Sequence, residues 1–233
     1  MTVTPPGGPA AWPRIVELRR GVLEKNDRVA GGLRERFSTA GVAVSNWVSS
    51  PGSGKTALLA RLLALAGERG VSAAALVGDC ATDNDARRLA QVAPVRQIET
   101  QGMCHLEASM VADHLAALEA TVPLAGLDLL VIENVGNLVC PTSFDLGEGS
   151  RVVLLSVTEG EDKPLKYPQL FASSDVVLVT KVDLAEAVGF DAPVARRAVA
   201  TVAPDRPVLD TSARTGQGVA AVLDLLLAGR EAP

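Results

Sequence analysis

Aromatic side chains are scarce in this chain of 233 residues: four Phe, two Trp and one Tyr, 3% in all. Since 48% of the residues are apolar, the core has to be built from Ala, Val and Leu, which suits a parallel sheet covered by helices on both faces. Cysteine is also rare. Three Cys, an odd number without a Cys-x-x-Cys pair, speak against a disulfide framework. Long Lys/Arg runs are missing and the net charge is −5, so the basic face that nucleic acid requires is not expected. No apolar run approaches the roughly 20 residues that span a bilayer, which leaves no membrane partner. Residues 1–13 are rich in Pro and Gly and lack the charged and apolar regions of a signal peptide. They are expected to form a flexible tail on a cytoplasmic protein. The length fits one large domain, or one domain with an added arm.

What is present is alternation. Apolar residues at Ile15, Leu18, Val22, Val29 and Leu33 predict an amphipathic arm over 14–40, of one or two helices broken near Gly31-Gly32. The domain over 41–233 then reads as strands at Val42–Val48, Ala73–Val77, Val95–Ile98, Leu127–Ile132, Val152–Val157, Val176–Val179 and, briefly, Pro207–Asp210. Helical patterns fall between or after them. One has Leu58, Leu59, Leu62, Leu65 and Ala66 on one face; others run over Leu106–Ala120, Ala192–Val202 and Val219–Leu227. This order implies an α/β fold, a doubly wound, mostly parallel sheet with helices on both faces.

The first strand runs into Ser49-Ser50-Pro51-Gly52-Ser53-Gly54-Lys55-Thr56, a phosphate loop with Ser49 in place of the first Gly. Gly52 and Gly54 let backbone N–H groups turn inward onto phosphate oxygens, and the stretch Gly52, Ser53, Gly54, Lys55, Thr56 and Ala57 is the candidate phosphate cradle. Lys55 supplies a cation for the β- and γ-phosphates, Thr56 a hydroxyl for Mg²⁺, and the following helix directs its positive end at the anion.

Thr180-Lys181-Val182-Asp183 resembles the guanine-reading Asn-Lys-x-Asp motif with Thr for Asn. Asp183 would accept from guanine N1–H and its exocyclic amine, with the Lys181 stem against the base. Thr211-Ser212-Ala213-Arg214 resembles the loop that closes over guanine O6, which makes Ser212 and Ala213 candidates. Asp79 and Glu133 stand at the carboxyl ends of strands, where ligands bind in open α/β sheets. They are the acids expected to complete the Mg²⁺ site and, with Lys55, to serve catalysis. Asp79 or Asp83 could instead orient the attacking water, and the residues alone leave the division of roles among Asp79, Asp83, Asp85 and Glu133 open.

Cys104 and His105 are adjacent, and Cys140 follows Glu133 by seven positions. All three are side chains of transition-metal type. A free Cys is more often a small buried hydrophobe, and three ligands leave a four-coordinate site for a water or a second subunit to complete. Cys80 and His114 read as structural, since His114 falls on the opposite helix face from His105.

Taken together, Val48–Thr56, Gly78–Ala86 (Gly-Asp-Cys-Ala-Thr-Asp-Asn-Asp-Ala), Cys104–Ala108, Glu133–Pro141 (Glu-Asn-Val-Gly-Asn-Leu-Val-Cys-Pro) and Val157–Pro168 resemble the HypB family. This is the family of GTPases that assist nickel insertion into NiFe hydrogenase. The likeness runs over roughly residues 14 to 230. It implies a SIMIBI-class P-loop GTPase fold that binds GTP or GDP with Mg²⁺, and a GTP-dependent homodimer. It also implies a Ni²⁺ or Zn²⁺ site of Cys104, His105 and Cys140 at the dimer interface. Lys163 would contact the partner subunit's nucleotide, and the protein partners would be the hydrogenase large subunit and a companion nickel-insertion chaperone. The chain departs from the family at three points. Residues 1–40 contain neither Cys nor His, so they hold no nickel motif. Met103 stands where a small Gly is common, and Thr180, where Asn or Ser is usual, is expected to weaken guanine selectivity. Competing readings are a UreG-like urease-maturation GTPase, a small-molecule P-loop kinase and a non-catalytic metal-binding docking protein. The metal motif of UreG is Cys-Pro-His, a kinase needs an Arg-rich lid that is not evident, and intact Lys55 and Thr56 speak against a non-catalytic module.

Overall fold

The computed structural model describes residues 11–79 and 83–229. Positions 1–10 of the expected tail, and Cys80, lie outside the described residues.

The chain opens with a long helix, α1 (Ala11–Ala40), followed by β1 (Ala43–Val48), α2 (Lys55–Glu68), β2 (Ala73–Asp79), α3 (Asn84–Leu89), β3 (Val95–Glu99) and α4 (Ala108–Glu119). Then come β4 (Leu129–Glu133), β5 (Ser150–Ser156), α5 (Lys163–Lys166), α6 (Pro168–Ala172), β6 (Val176–Thr180), α7 (Ala185–Val188), α8 (Ala192–Val202), β7 (Val208–Asp210) and α9 (Val219–Ala228). The strands form a single seven-stranded sheet in the order β3-β2-β4-β1-β5-β6-β7. Every pairing is parallel, so the sheet is wholly rather than mostly parallel.

All six residues of β1 are buried, as expected of a strand covered on both faces. Its side chains alternate between two cores, because successive residues of a strand point to opposite faces. Ala43 and Trp47 join Leu58, Leu59, Leu62 and Leu63 of α2 and Val222, Leu223 and Leu226 of α9. Val44, with Val42 just ahead of the strand, joins Ala30, Leu33 and Phe37 of α1 and Val111 and Leu115 of α4. A third cluster, with Phe171 and Val199, packs α6 and α8 over β5 and β6. Trp47, fully buried, satisfies its indole N–H on Ser45 Oγ at 2.9 Å.

The break expected at Gly31-Gly32 does not occur: α1 runs through both glycines. Each interior Gly costs a helix about 1 kcal/mol relative to Ala, and docking on the sheet outweighs that. Ala30, Leu33 and Phe37 are buried around the pair, and Arg34 makes two 2.8 Å bonds to the Asp145 carboxylate. Val22, placed on the apolar stripe by its spacing, is instead 49% exposed. Among the described residues no helix is long and apolar enough to cross a membrane.

Candidate nucleotide and metal site

The carboxyl ends of β1, β2, β4 and β6 face one crevice, the position where open α/β sheets bind ligands. β1 leads into the phosphate loop, in which Gly52 and Gly54 take left-handed φ values of 74° and 92°. Ser49 is accommodated where Gly is usual: it is fully buried, donates to the Ser50 carbonyl at 3.0 Å and accepts from Ser53 Oγ at 2.7 Å. The hydroxyl thus braces the loop from beneath. α2 begins at Lys55, so Gly54, Lys55, Thr56 and Ala57 surround the positive end of that helix.

The two residues expected to serve phosphate and Mg²⁺ converge on one carboxylate. Lys55 Nζ lies 2.7 Å from Glu133 Oε1, and Thr56 Oγ1 donates to the same oxygen at 2.6 Å. Both side chains of the Lys55–Glu133 pair are nearly enclosed, at 10% and 1% exposure. The other oxygen, Glu133 Oε2, is buried without a partner among the described residues. A buried, half-satisfied carboxylate beside a hydroxyl fits a hard cation that takes oxygen ligands. Asp79 ends β2, half-buried, two residues past Val77, which pairs with Glu133 across the β2–β4 ladder. Asp83 pairs with Arg87 at 2.6 Å, and Asp85 sits in the first turn of α3. Of the four acids considered, Glu133 is the one placed in contact with Lys55 and Thr56.

On the far side of the loop a cavity of about 340 Å³ is lined by Ser53, Gly54, Ala57, Thr180, Lys181, Asp183 and Ala213. Thr180 Oγ1, buried, donates to the Ser53 carbonyl at 2.8 Å, and Lys181 Nζ donates to the Gly52 carbonyl at 2.6 Å. Lys181 takes a left-handed φ of 59°, and its stem would stand 3.4 Å from a Cβ at Gly54. Ser212 Oγ donates to Asp183 Oδ1 at 2.6 Å, and the N–H of Thr215 donates to Ser212 Oγ at 3.1 Å. Arg88 and Arg214 also line this cavity, and the motif reading singled out neither.

Lys163, in α5, lies 3.4 Å from Glu159 Oε2 and 5.4 Å from the centre of the Tyr167 ring. Glu159 Oε2 also accepts from Ser50 Oγ at 2.8 Å. Lys163 is therefore tied through Glu159 to the phosphate loop of its own subunit.

Beyond β3 and β4 the two metal-type segments meet. Cys104, His105 and Cys140 place their ligand atoms within 4.8 Å of one another. The thiol of Cys104 donates to Cys140 Sγ at 2.9 Å, and His105 Nδ1 lies 3.9 Å from Cys104 Sγ. The other ring nitrogen, Nε2, is buried without a hydrogen-bond partner among the described residues, 3.9 Å from Glu107 Oε1. Phe144 covers the ring at 4.0 Å between centres. The bond to Cys140, then burial, pushes the Cys104 thiol up. Burial pulls His105 down against the opposing Glu107 charge, which favours the neutral imidazole that binds metal. Met103, in place of a small residue, is accommodated because it points outward, at 37% exposure. His114 caps back onto the Met110 carbonyl at 2.9 Å, within α4.

A family model for the CobW/HypB/UreG nucleotide-binding domain matches residues 43–210. Hydrogenase maturation factor HypB of Azotobacter vinelandii is 48% identical over 207 residues, which cover 88% of this chain and 67% of the relative. This chain belongs to the HypB family. A second HypB, the hydrogenase/urease maturation factor of Helicobacter hepaticus, is 40% identical over 91% of this chain and 87% of its own length. The crystal structure of HypB from Helicobacter pylori in complex with nickel superposes with a TM-score of 0.84 at 38% identity, covering 88% of this chain and 95% of that one. The present chain is accordingly a HypB-family P-loop GTPase, and it spans about two thirds of the length of the Azotobacter vinelandii relative.

Proposed function

We propose that this HypB-family GTPase is a nucleotide-controlled nickel carrier for hydrogenase maturation, with the cargo held by Cys104, His105 and Cys140. The observation that carries the reading is one of position. Glu133, which Lys55 and Thr56 both contact, begins the same segment that ends in Cys140.

The loop amides and Lys55 bind the β- and γ-phosphates, while Asp183, oriented by Ser212, reads guanine, with the Lys181 stem against the base and Ala213 beside it. Mg²⁺ would be held by Thr56 and Glu133, with Asp79 close by, and would supply charge neutralisation on the phosphates. Without nucleotide, Glu133 is the counter-charge of Lys55. Phosphate takes that role over and frees Glu133, a local exchange of charge partners of the kind that drives GTPase switches. Asp79 is suited to orienting the attacking water. Hydrolysis should be slow, because the motifs supply neither a catalytic Gln nor an arginine finger.

Nickel is the cargo. Two thiols and an imidazole suit Ni²⁺ and Zn²⁺ alike, and three ligands leave one position open. A homodimer with the metal sites facing each other would close it. Val139, Leu165 and Met103 support such an interface, as exposed apolar side chains flanking the metal and nucleotide segments, at 65%, 52% and 37% exposure. Lys163 would exchange Glu159 for the partner's nucleotide on dimerisation. The delivery partners are the hydrogenase large subunit and a companion chaperone. A reduced thiol pair fits the cytoplasm, and residues 14–40 serve as an arm on a GTPase domain over 41–233.

Nickel titration in the GDP state and with a non-hydrolysable GTP analogue tests the proposal. Wild type should bind Ni²⁺ with an affinity that differs between the two states. The double variant Cys104→Ala, Cys140→Ala should lose that binding, and unchanged binding in both states would refute it. Lys55→Ala should abolish GTP turnover.

A further inference from the structure

Two asparagine side chains sit between the phosphate site and the metal site. Asn134, 1% exposed, follows Glu133 directly. Its Oδ1 accepts the N–H of Leu106 at 3.2 Å and that of Val135 at 2.9 Å, and its Nδ2 donates to Asn46 Oδ1 at 3.3 Å. Asn137, half-buried, donates to the Cys104 carbonyl at 3.2 Å and accepts the N–H of Val139 at 2.8 Å. The Cys104-His105 dipeptide is thus gripped at both ends, by its first carbonyl and by the N–H that follows it, from a segment about 30 residues later in the chain.

The third ligand is held differently. Cys140 opens a 3-10 turn running to Ser143. Arg151, on β5 and 9% exposed, donates to the Thr142 carbonyl at 3.2 Å and the Phe144 carbonyl at 2.9 Å. Arg151 is in turn fixed by Glu148 at 2.8 Å, which accepts from Asn46 Nδ2 at 3.0 Å. The Cys140 turn is therefore anchored to the sheet through β5, while Cys104 and His105 are anchored to residues 134–137, just past Glu133.

Resting on the proposed nickel-carrier function, we propose that Asn134 and Asn137 are positioning residues that carry the movement of Glu133 to Cys104 and His105. When phosphate displaces Glu133 from Lys55, residues 134–137 shift. The two amides take the Cys104-His105 loop with them, relative to a Cys140 turn that Arg151 holds in place. The spacing of the three donors, and with it the metal affinity, then follows nucleotide state. The covalent chain from Glu133 leads to Cys140, and the two amides add a side-chain link from the same segment to Cys104 and His105.

The test is Ni²⁺ titration of Asn134→Ala and Asn137→Ala, each confirmed as folded by circular dichroism, with GDP and with a non-hydrolysable GTP analogue. The quantity read is the ratio of Ni²⁺ affinities in the two states. Couplings of this kind run roughly 5–150-fold, and loss of one neutral hydrogen bond is worth about fivefold. Each variant should shrink the ratio by about fivefold or to unity. By reciprocity, the effect of Ni²⁺ on the affinity for the GTP analogue should shrink by the same factor. The nickel–thiolate charge-transfer absorption at saturation should remain, since all three ligands are intact. A merely structural role would lower Ni²⁺ affinity equally in both states and leave the ratio unchanged, which would overturn the inference. Asn137, only half-buried, keeps the test open if Asn134→Ala does not fold. Wild type that binds no Ni²⁺ overturns the carrier function and this inference with it. A nucleotide-dependent wild type whose ratio survives in the folded variants overturns this inference alone.

Discussion

Replacing Glu133 by Gln keeps the shape of the side chain and one acceptor oxygen but removes the charge that faces Lys55. The Lys55–Glu133 contact is 2.7 Å long between side chains 10% and 1% exposed, so Lys55 has little water to turn to. Removing one partner of a buried ion pair costs about 3–5 kcal/mol. The low end, about 3 kcal/mol, applies because the amide oxygen can still accept from Thr56 and Lys55. For a chain of this size each kcal/mol moves Tm by about 2–4 °C, so nucleotide-free Glu133→Gln should melt about 6–12 °C below wild type. The sign then reverses. With GDP in EDTA, phosphate gives Lys55 its counter-charge back and no longer has to displace a carboxylate. The variant should therefore gain more from GDP than wild type does, equivalent to up to about 100-fold tighter binding. Adding Mg²⁺ should help the wild-type complex more than the variant, because the carboxylate that would bind the ion is gone. Differential scanning fluorimetry at fixed GDP gives all three comparisons. A nucleotide-free Tm within about 2 °C of wild type, or equal GDP shifts in the two proteins, would refute the counter-charge exchange.

Asp183→Asn replaces a pure acceptor, bonded at 2.6 Å by Ser212, with a group that also donates. GDP affinity should fall by about 5–150-fold, and xanthosine diphosphate, whose C2 carbonyl can accept from the amide, should gain in competition binding. Unchanged base preference would count against Asp183 as the guanine reader. The docking of α1 should show in acid. Burial raises the Asp145 carboxyl, but the Arg34 guanidinium and the Gly147 N–H outweigh it and hold the group below its ordinary value of 3.8. A folded value below the unfolded one means stability that is present above pH 3.8 and is lost as pH falls through the folded value. The Tm difference between wild type and Asp145→Asn should therefore be constant from about pH 5 to 8 and close on further acidification. Because the pair is half-exposed, the difference should stay below about 1 kcal/mol, and one that widens in acid would refute the assignment.

The inner strands β1, β4, β5 and β6 were legible as short aliphatic runs covered on both faces, and the edge strands β3 and β7, only partly buried, from their place in the strand–helix alternation. The long helices α2, α8 and α9 were legible from their apolar stripes. The short helices were not. α3, α5, α6 and α7 contain four to six residues, too few for a period of 3.6 to show. Gly31-Gly32 misled for a related reason. Helix propensity is local, whereas α1 is held through its glycine pair by packing on the sheet and by the Arg34–Asp145 pair, whose partners lie 111 residues apart. Within the site, motifs identified the side chains but not their partners. Nothing in the spacing tells that Lys55 and Thr56 share one oxygen of Glu133, or that Arg151 and two asparagines frame the metal ligands.

Thr180 shows how a departure from a motif can keep the physics of the motif. Judged as a substitution, Thr for Asn removes a side-chain amide from the base-reading segment, and weaker guanine selectivity is the natural expectation. In the fold, the hydroxyl is buried and donates at 2.8 Å to the carbonyl of Ser53, inside the phosphate loop. The end of β6 lies close enough to that loop for a side chain one bond shorter to reach it. Lys181 adds a second tie, from its Nζ to the Gly52 carbonyl at 2.6 Å. Two hydrogen bonds thus hold the base-reading segment to the phosphate-reading one, and neither involves the atoms that distinguish guanine from adenine. Under the proposed function, discrimination falls to the carboxylate of Asp183, which accepts from Ser212 Oγ at 2.6 Å. Thr180 ties the end of β6 to the phosphate loop, and on that proposal its replacement should change affinity for all nucleotides together while leaving their ranking alone.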